Sequence, residues 1–238
     1  MISKKNFFRK MRQDWAGMKR RIKINRILLP LLIVFTGFLF QFPSLYSKSI
    51  FGNDILNYAG LFIILAGTLV RMAARGHKKA HSYNGGALVT TGPYGFVRHP
   101  MYLGIFLISS GFILMIWPWW TIFIWTGLFY FRFKIEIAKE ENHLRRAFGS
   151  TYEMYVQKVP LVLPRWGDLK KIRLSRIFRG PGIWETDEKR GLILWPVLAV
   201  LLEILQQHLV FGFVPLARIL VVLILSMLSF YLSFWRIL

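Results

Sequence analysis

Long apolar blocks limit what this chain can fold into more than any motif does. Five recur along its 238 residues, at 27–46, 55–70, 102–131, 192–210 and 213–235. A helix needs roughly 20 apolar residues to cross the hydrocarbon core of a bilayer. The first, fourth and fifth blocks have that length, and the second reaches it if Arg71 snorkels to the interface. The third is too long for one crossing and fits two short ones. Its natural fold point is Pro118, within Trp117-Pro118-Trp119-Trp120, because proline removes a helix hydrogen bond and Trp favours the membrane interface. The expectation is an all-α integral membrane protein with about six transmembrane helices, two of them forming a helical hairpin at 101–133. A composition of 55% apolar and 18% charged residues agrees.

The net charge is +21. Charge of this size can serve nucleic-acid binding, but its distribution argues for another cause. Of 32 Lys and Arg, ten lie before residue 27, five in 71–100 and fourteen in 132–190. Six spans put all three segments on one face, the arrangement of a membrane protein with its positive loops inside. Both termini and the two long loops are thus expected in the cytosol, with no nucleic acid as partner. Attraction to anionic lipid accounts for the charge. A bacterial inner membrane is expected over endoplasmic reticulum. The basic N-terminal region is too long for a cleavable signal and has no small-x-small site after its apolar run, so the first span reads as a signal anchor. There is no cysteine, which excludes disulfides and thiolate chemistry.

Four regions follow. Residues 1–26 carry Phe7, Phe8, Met11, Trp15, Met18 and Ile22 at spacings that suit an amphipathic cytosolic tail on the membrane surface, although a disordered basic tail fits equally. Residues 27–164 form the membrane core. The segment 71–100 reads as a loop, because Gly76, Gly85, Gly86, Gly92, Pro93, Gly95 and Pro100 interrupt regular structure. From Arg132 a helix is expected to leave the membrane, with Leu144, Phe148, Tyr152 and Tyr155 on its apolar side, an interruption at Gly149, and an end at Pro160 and Pro164. Residues 165–190 read as a basic interfacial linker turning at Gly180-Pro181-Gly182. Residues 191–238 read as a C-terminal two-helix hairpin, in which Glu203 and Arg218 fall at similar depth and are expected to pair.

Two segments, 84–104 and 140–164, are more polar than a membrane anchor needs. In the first, glycines allow close backbone approach, and Pro100 occupies a favoured first-turn position. Arg98 and His99 stand at the mouth of that helix, whose N-terminus attracts anions. An anion or cofactor site and a plain interfacial turn fit these residues equally. In the second, the adjacent Glu140 and Glu141 point about 100° apart on a helix, so one can face inward while the other faces solvent. An inward carboxylate near the membrane needs a cation partner.

Taken together, the two segments carry a pattern. Gly92-x-Tyr94-x-x-x-Arg98-His99-Pro100-x-Tyr102-x-Gly104 is followed by Glu140-Glu141 and then Phe148-Gly149-x-x-Tyr152-x-x-Tyr155-x-x-x-Val159-Pro160. This resembles the isoprenylcysteine carboxyl methyltransferase and phospholipid methyltransferase superfamily over about a third of the chain. The resemblance implies an enzyme that moves a methyl group from S-adenosylmethionine, held in a cytosolic pocket, to a lipid or lipophilic acceptor entering from the bilayer. Carried over by position, Leu88, Val89, Tyr94, His99, Pro100, Met101, Tyr102 and Glu140 are expected to bind the cofactor. Arg98 and Arg132 are expected to position the substrate. Loss of Glu140 should weaken cofactor binding, and loss of Glu141 should not. In one departure, Glu136 stands where the isoprenylcysteine enzymes carry a substrate-binding arginine.

Other features read as structural. His77 and His81 share a helix face but lack further metal ligands, so no metal site is expected. The competing functional readings are an NADPH-dependent sterol-reductase-like membrane enzyme and a non-catalytic membrane scaffold. Oligomeric state and the identity of the acceptor are not fixed by the sequence.

Overall fold

A computed structural model describes residues 34–46, 50–82, 86–165, 167 and 182–212. The chain divides into two compact units, Met1–Leu45 and Tyr46–Leu238. In the first, residues 34–40 are helical and lead into a 3-10 turn at Pro43–Leu45. The expected amphipathic tail, 1–26, lies outside the described residues.

Among the described residues, the second unit contains four long helices: α1, Ile50–His81; α2, Pro100–Ile116; α3, Thr121–Lys158; and α4, Gly191–Phe211. Short 3-10 turns at Gly92–Gly95, Ile183–Glu185 and Asp187–Arg190 connect them. No strand occurs among the described residues, so the all-α expectation holds there. Asp54–His81 and Asp187–Phe211 are long and apolar enough to cross a membrane, while Pro100–Ile116 is shorter. Tyr58, Phe62, Phe123 and Phe131 are each about 70% exposed. Large apolar side chains displayed in this way suit lipid rather than water.

The closest packing joins α1 and α2, and glycine explains it. A Cβ at Gly60 would stand 2.8 Å from the Gly111 carbonyl, and one at Gly67 2.8 Å from the Gly104 carbonyl. The reverse contacts are as tight or tighter, 2.8 Å at Gly104 and 2.5 Å at Gly111. Both glycine pairs are seven residues apart, two helical turns, so the antiparallel backbones touch twice along one seam. Between the two glycine contacts, Ile64 packs with Met115, Ala199 and Val200, placing α4 against both helices.

One expectation changes. The segment from Arg71 is not loop-like at its start, because α1 continues to His81. Residues 71–81 are mostly good helix formers, and Gly76, the exception, leaves room for the backbone of Ile183 to cross. The bidentate pair from Arg71 Nε and Nη2 to Glu188, at 2.9 and 2.7 Å, with Arg75 Nη1 at 2.6 Å, ties this extension to the chain before α4. The hairpin turn does fall at Pro118, where Thr121 donates both its N–H and its Oγ1 hydroxyl to the Pro118 carbonyl. As expected, α3 then runs from the apolar stretch into the polar one and is interrupted at Gly149. Residues 213–235 and Arg218, proposed from sequence to pair with Glu203, lie outside the described residues. Glu203 itself is buried and accepts hydrogen bonds from Asn57 and Gln207.

Candidate functional site

The site forms where the start of α2 meets the far half of α3. His99 caps α2 and Pro100 opens it. Their neighbours are held by the chain after α3: Arg98 N–H donates to the Pro160 carbonyl at 2.8 Å, and His99 N–H to the Leu161 carbonyl at 3.0 Å. These two bonds unite the segments that the sequence separates.

The far half of α3 reaches the same point by turning back on itself. Gly149 has φ 52° and ψ −129°, a conformation open to glycine and strained for other residues. The break lets Tyr152 and Tyr155 fold inward, where they are buried with Val159 against Leu88, Leu144 and Phe148. Tyr155 Oη donates to the Tyr94 carbonyl at 2.7 Å. Tyr152 Oη donates to Glu141 Oε1 at 3.3 Å.

Glu141 is the hub. Its Oε1 lies 2.5 Å from Arg98 Nη1 and 3.3 Å from His99 Nε2, and Arg145 Nη2 is 3.7 Å from Oε2. Both partners in the Arg98–Glu141 pair are nearly buried, which favours the charged pair only because each compensates the other. The Arg98 contact is an ion pair of poor hydrogen-bond alignment, and its buried Nε and Nη1 retain unused N–H groups. Glu140 differs. Its carboxylate is 41% exposed, and the His99 ring nitrogen Nδ1 lies 3.7 Å from it.

The electrostatics follow from burial. Burial lowers the pKa of His99, and the two glutamates oppose the shift without reversing it. A neutral imidazole that donates from Nε2 to Glu141 fits this geometry. Burial first, and the Glu141 charge second, push the Tyr152 hydroxyl up to about 12. Tyr94 is raised by burial and by Glu140. All three groups are therefore neutral at neutral pH.

Of the residues expected from sequence, Leu88, Tyr94, Arg98, His99, Pro100 and Glu140 gather around this junction, and Val89 is buried. Met101 and Tyr102 lie in the first turn of α2. The Tyr102 ring bridges His99, at 5.7 Å, and Phe133, at 5.2 Å. Arg132 stands apart: it pairs with Glu136 at 3.6 Å and lies over the Phe133 ring. Sequence reasoning missed the Arg98–Glu141 pair, and it placed Tyr152 and Tyr155 on one helix face without finding their partners Glu141 and Tyr94. His77 and His81 stack at 4.0 Å. No cluster of three or more metal-ligating side chains occurs among the described residues.

Chemically, the junction offers an accessible carboxylate beside buried, unused guanidinium N–H groups. Of the first-turn amides of α2, His99 N–H is taken by Leu161, and the Tyr102 and Leu103 N–H groups by the His99 carbonyl. Pro100 has none, which leaves Met101 N–H. A carboxylate and several donors this close suit a zwitterion such as an amino-acid group.

The family model for phospholipid methyltransferases matches residues 25–151, more than half of the chain. Among curated proteins, the chain is 35% identical over 77 residues to protein-S-isoprenylcysteine O-methyltransferase of Schizosaccharomyces pombe, covering 32% of this chain and 33% of that one. The Saccharomyces cerevisiae protein of the same name is 28% identical over 137 residues, covering 54% and 56%. The chain is also 33% identical over 81 residues to Delta(14)-sterol reductase LBR of Gallus gallus, covering 32% of this chain and 12% of that one. It thus spans between a third and little over half of the two methyltransferases. No solved structure matches.

Proposed function

Because the chain belongs to the phospholipid methyltransferase family, we propose that it is an integral membrane enzyme transferring a methyl group from S-adenosylmethionine to a lipid or lipophilic acceptor. The observation that carries this reading is the junction at which Arg98 pairs with Glu141 and the open carboxylate of Glu140 faces His99 at the start of α2. When bound, the cofactor supplies a methyl group activated on a sulfonium. Glu140 takes its ammonium, and Arg98 with Met101 N–H takes its carboxylate. Tyr94 and Tyr102 offer ring faces to the cationic and adenosine parts, and Leu88, Val89 and Met101 wall the site.

The reaction needs alignment more than acid–base chemistry. A carboxylate acceptor attacks the methyl carbon with an oxygen lone pair and loses no proton. An amine acceptor must first shed its proton, which a desolvated site favours. Glu136, already between Arg132 and Lys139 at 3.6 and 3.7 Å, is a poor neighbour for an acceptor carboxylate. The acceptor class named for the two yeast relatives therefore has less support from the side chains than methyl transfer itself.

The proposed topology is six spans with both termini and the site in the cytosol. Its support is the segregation of basic residues and the two helices long enough to cross. The matched relatives above are eukaryotic, which gives the expectation of a bacterial inner membrane no support.

The likeness to a sterol reductase keeps an NADPH-dependent enzyme as the second reading. Calorimetry on purified protein separates the two. S-adenosylhomocysteine should bind and NADPH should not, and binding of NADPH alone would overturn the proposal. Labelled-methyl transfer to membrane lipid extracts then identifies the acceptor.

A further inference from the structure

At the end of the helices away from Arg98 and Glu140, the second unit has a cleft of about 410 Å³, counting its open mouth. The 17 residues of α2 put roughly 25 Å between this cleft and the methyl-transfer junction. Its walls include Leu56 and Asn57 of α1, Trp117 and Trp119 of the hairpin turn, and Gln206 and Gln207 of α4. Three amides among apolar helices are costly unless something uses them.

Their orientation is set from behind. Glu203 is buried and does not line the cleft, but its Oε1 accepts from Asn57 Nδ2 at 2.6 Å and from Gln207 Nε2 at 3.1 Å. A carboxylate only accepts, so each amide turns its nitrogen toward Glu203, one N–H of each is used there, and both amide carbonyl oxygens remain. Gln206, only 5% exposed, lines the same cleft and has no side-chain hydrogen bond among the described residues. In addition, α2 and α4 end here, at Ile116 and Phe211, and bring the negative ends of two helix dipoles against one positive end, that of α3 starting at Thr121. The positive end of α1 starts at Ile50, more than a turn before Leu56. The cleft therefore presents acceptors and negative potential, with indole faces that suit a cation.

We propose that this cleft binds a primary ammonium group carried by the head group of a phospholipid in the leaflet facing the hairpin turn. Trp119 is 53% exposed beside Pro118, and the preference of Trp for the interface puts the mouth at head-group depth. The site is independent of the methyl-transfer reading and does not use its residues.

The test measures binding and melting of the full-length protein in neutral detergent with dihexanoyl phosphatidylethanolamine, dihexanoyl phosphatidylcholine and ethanolamine. The first should bind saturably and raise the melting temperature. The second, whose quaternary ammonium has no N–H, should bind at least tenfold more weakly. Gln206→Leu should weaken the phosphatidylethanolamine affinity at least tenfold while melting no lower than the parent without lipid. Leu56→Trp, which fills the cleft without altering the amides, should give the same loss. A response to ethanolamine equal to that of the lipid supports the ammonium site and moves its source from bilayer to solution. Equal affinity for the two lipids, or unchanged phosphatidylethanolamine affinity in both variants, overturns the proposal.

Discussion

Arg98 Nη1 lies 2.5 Å from Glu141 Oε1, and this one contact joins the start of α2 to the middle of α3. Glu141 also receives His99 and Tyr152. The neighbouring Glu140 has a half-open carboxylate with no hydrogen bond among the described residues. Two adjacent residues of the same type thus do different work: Glu141 organises the site, and Glu140 faces whatever enters it.

The first prediction contrasts the two. Removing one member of a buried ion pair leaves the other charge uncompensated, at a cost of about 3 kcal/mol. Glu141→Ala should lower stability by about that amount and weaken S-adenosylhomocysteine binding as a consequence. Glu140→Ala should melt like the parent protein and still bind weakly. This revises the expectation from sequence that Glu141 is dispensable. Denaturation and calorimetry on both variants check it, and equal melting of the two would show that Glu141 is not the hub.

The second prediction concerns the break in α3. Gly149 has φ 52°, and no heavy atom lies within 4 Å of where its Cβ would stand. Gly149→Ala therefore meets no steric clash, only backbone strain of about 1–3 kcal/mol. Straightening the helix would withdraw Tyr152 from Glu141 and Tyr155 from Tyr94. The variant should bind S-adenosylhomocysteine at least several-fold more weakly, with little change in helix content by circular dichroism. Parent-like affinity would mean that the turn is not needed.

How far the sequence could be read depended on the residue. Pro100 and Pro118 announced a helix start and a turn because proline restricts the backbone wherever it stands. The end of α1 was not announced, since Arg71 to His81 forms helix as readily in water as in lipid, and charge marks the bilayer edge rather than a helix end. The choice between Glu140 and Glu141 was hidden for a geometric reason. A 100° step separates them, but nothing local says which direction is inward. Only the remote partners Arg98, His99 and Tyr152 decide that. The glycine seam was legible in principle, because Gly60 and Gly67 repeat the spacing of Gly104 and Gly111.

That seam gives the third prediction. At Gly67 a new methyl would meet the Gly104 carbonyl at 2.8 Å, and a backbone atom cannot swing aside as a side chain can. Gly67→Ala should cost about 1–3 kcal/mol through forced separation of α1 and α2. Gly127→Ala, on α3 with nothing within 4 Å, is the control and should be neutral or slightly stabilising. Melting temperatures of the two variants check this, and a neutral Gly67→Ala would show that the seam tolerates separation.

The last prediction follows from His99. Burial lowers its pKa below the value of about 6.5 that it has in the unfolded chain. Between those two values the unfolded chain binds a proton that the folded protein refuses. Stability therefore rises with pH through this window. The contribution is fully present above about pH 6.5 and is lost as pH falls through the folded-state value. The melting temperature should drop on going from pH 7.5 to pH 5. Substituting His99→Gln keeps a donor for Glu141 but removes the titration, so it should flatten that part of the profile. Glutamates 140 and 141 pull in the opposite direction, and their influence sets the size of the drop without changing its sign. A melting temperature that rises toward pH 5 in the parent protein, and loses that rise in His99→Gln, would mean that the glutamates outweigh burial and that His99 is cationic in the folded site.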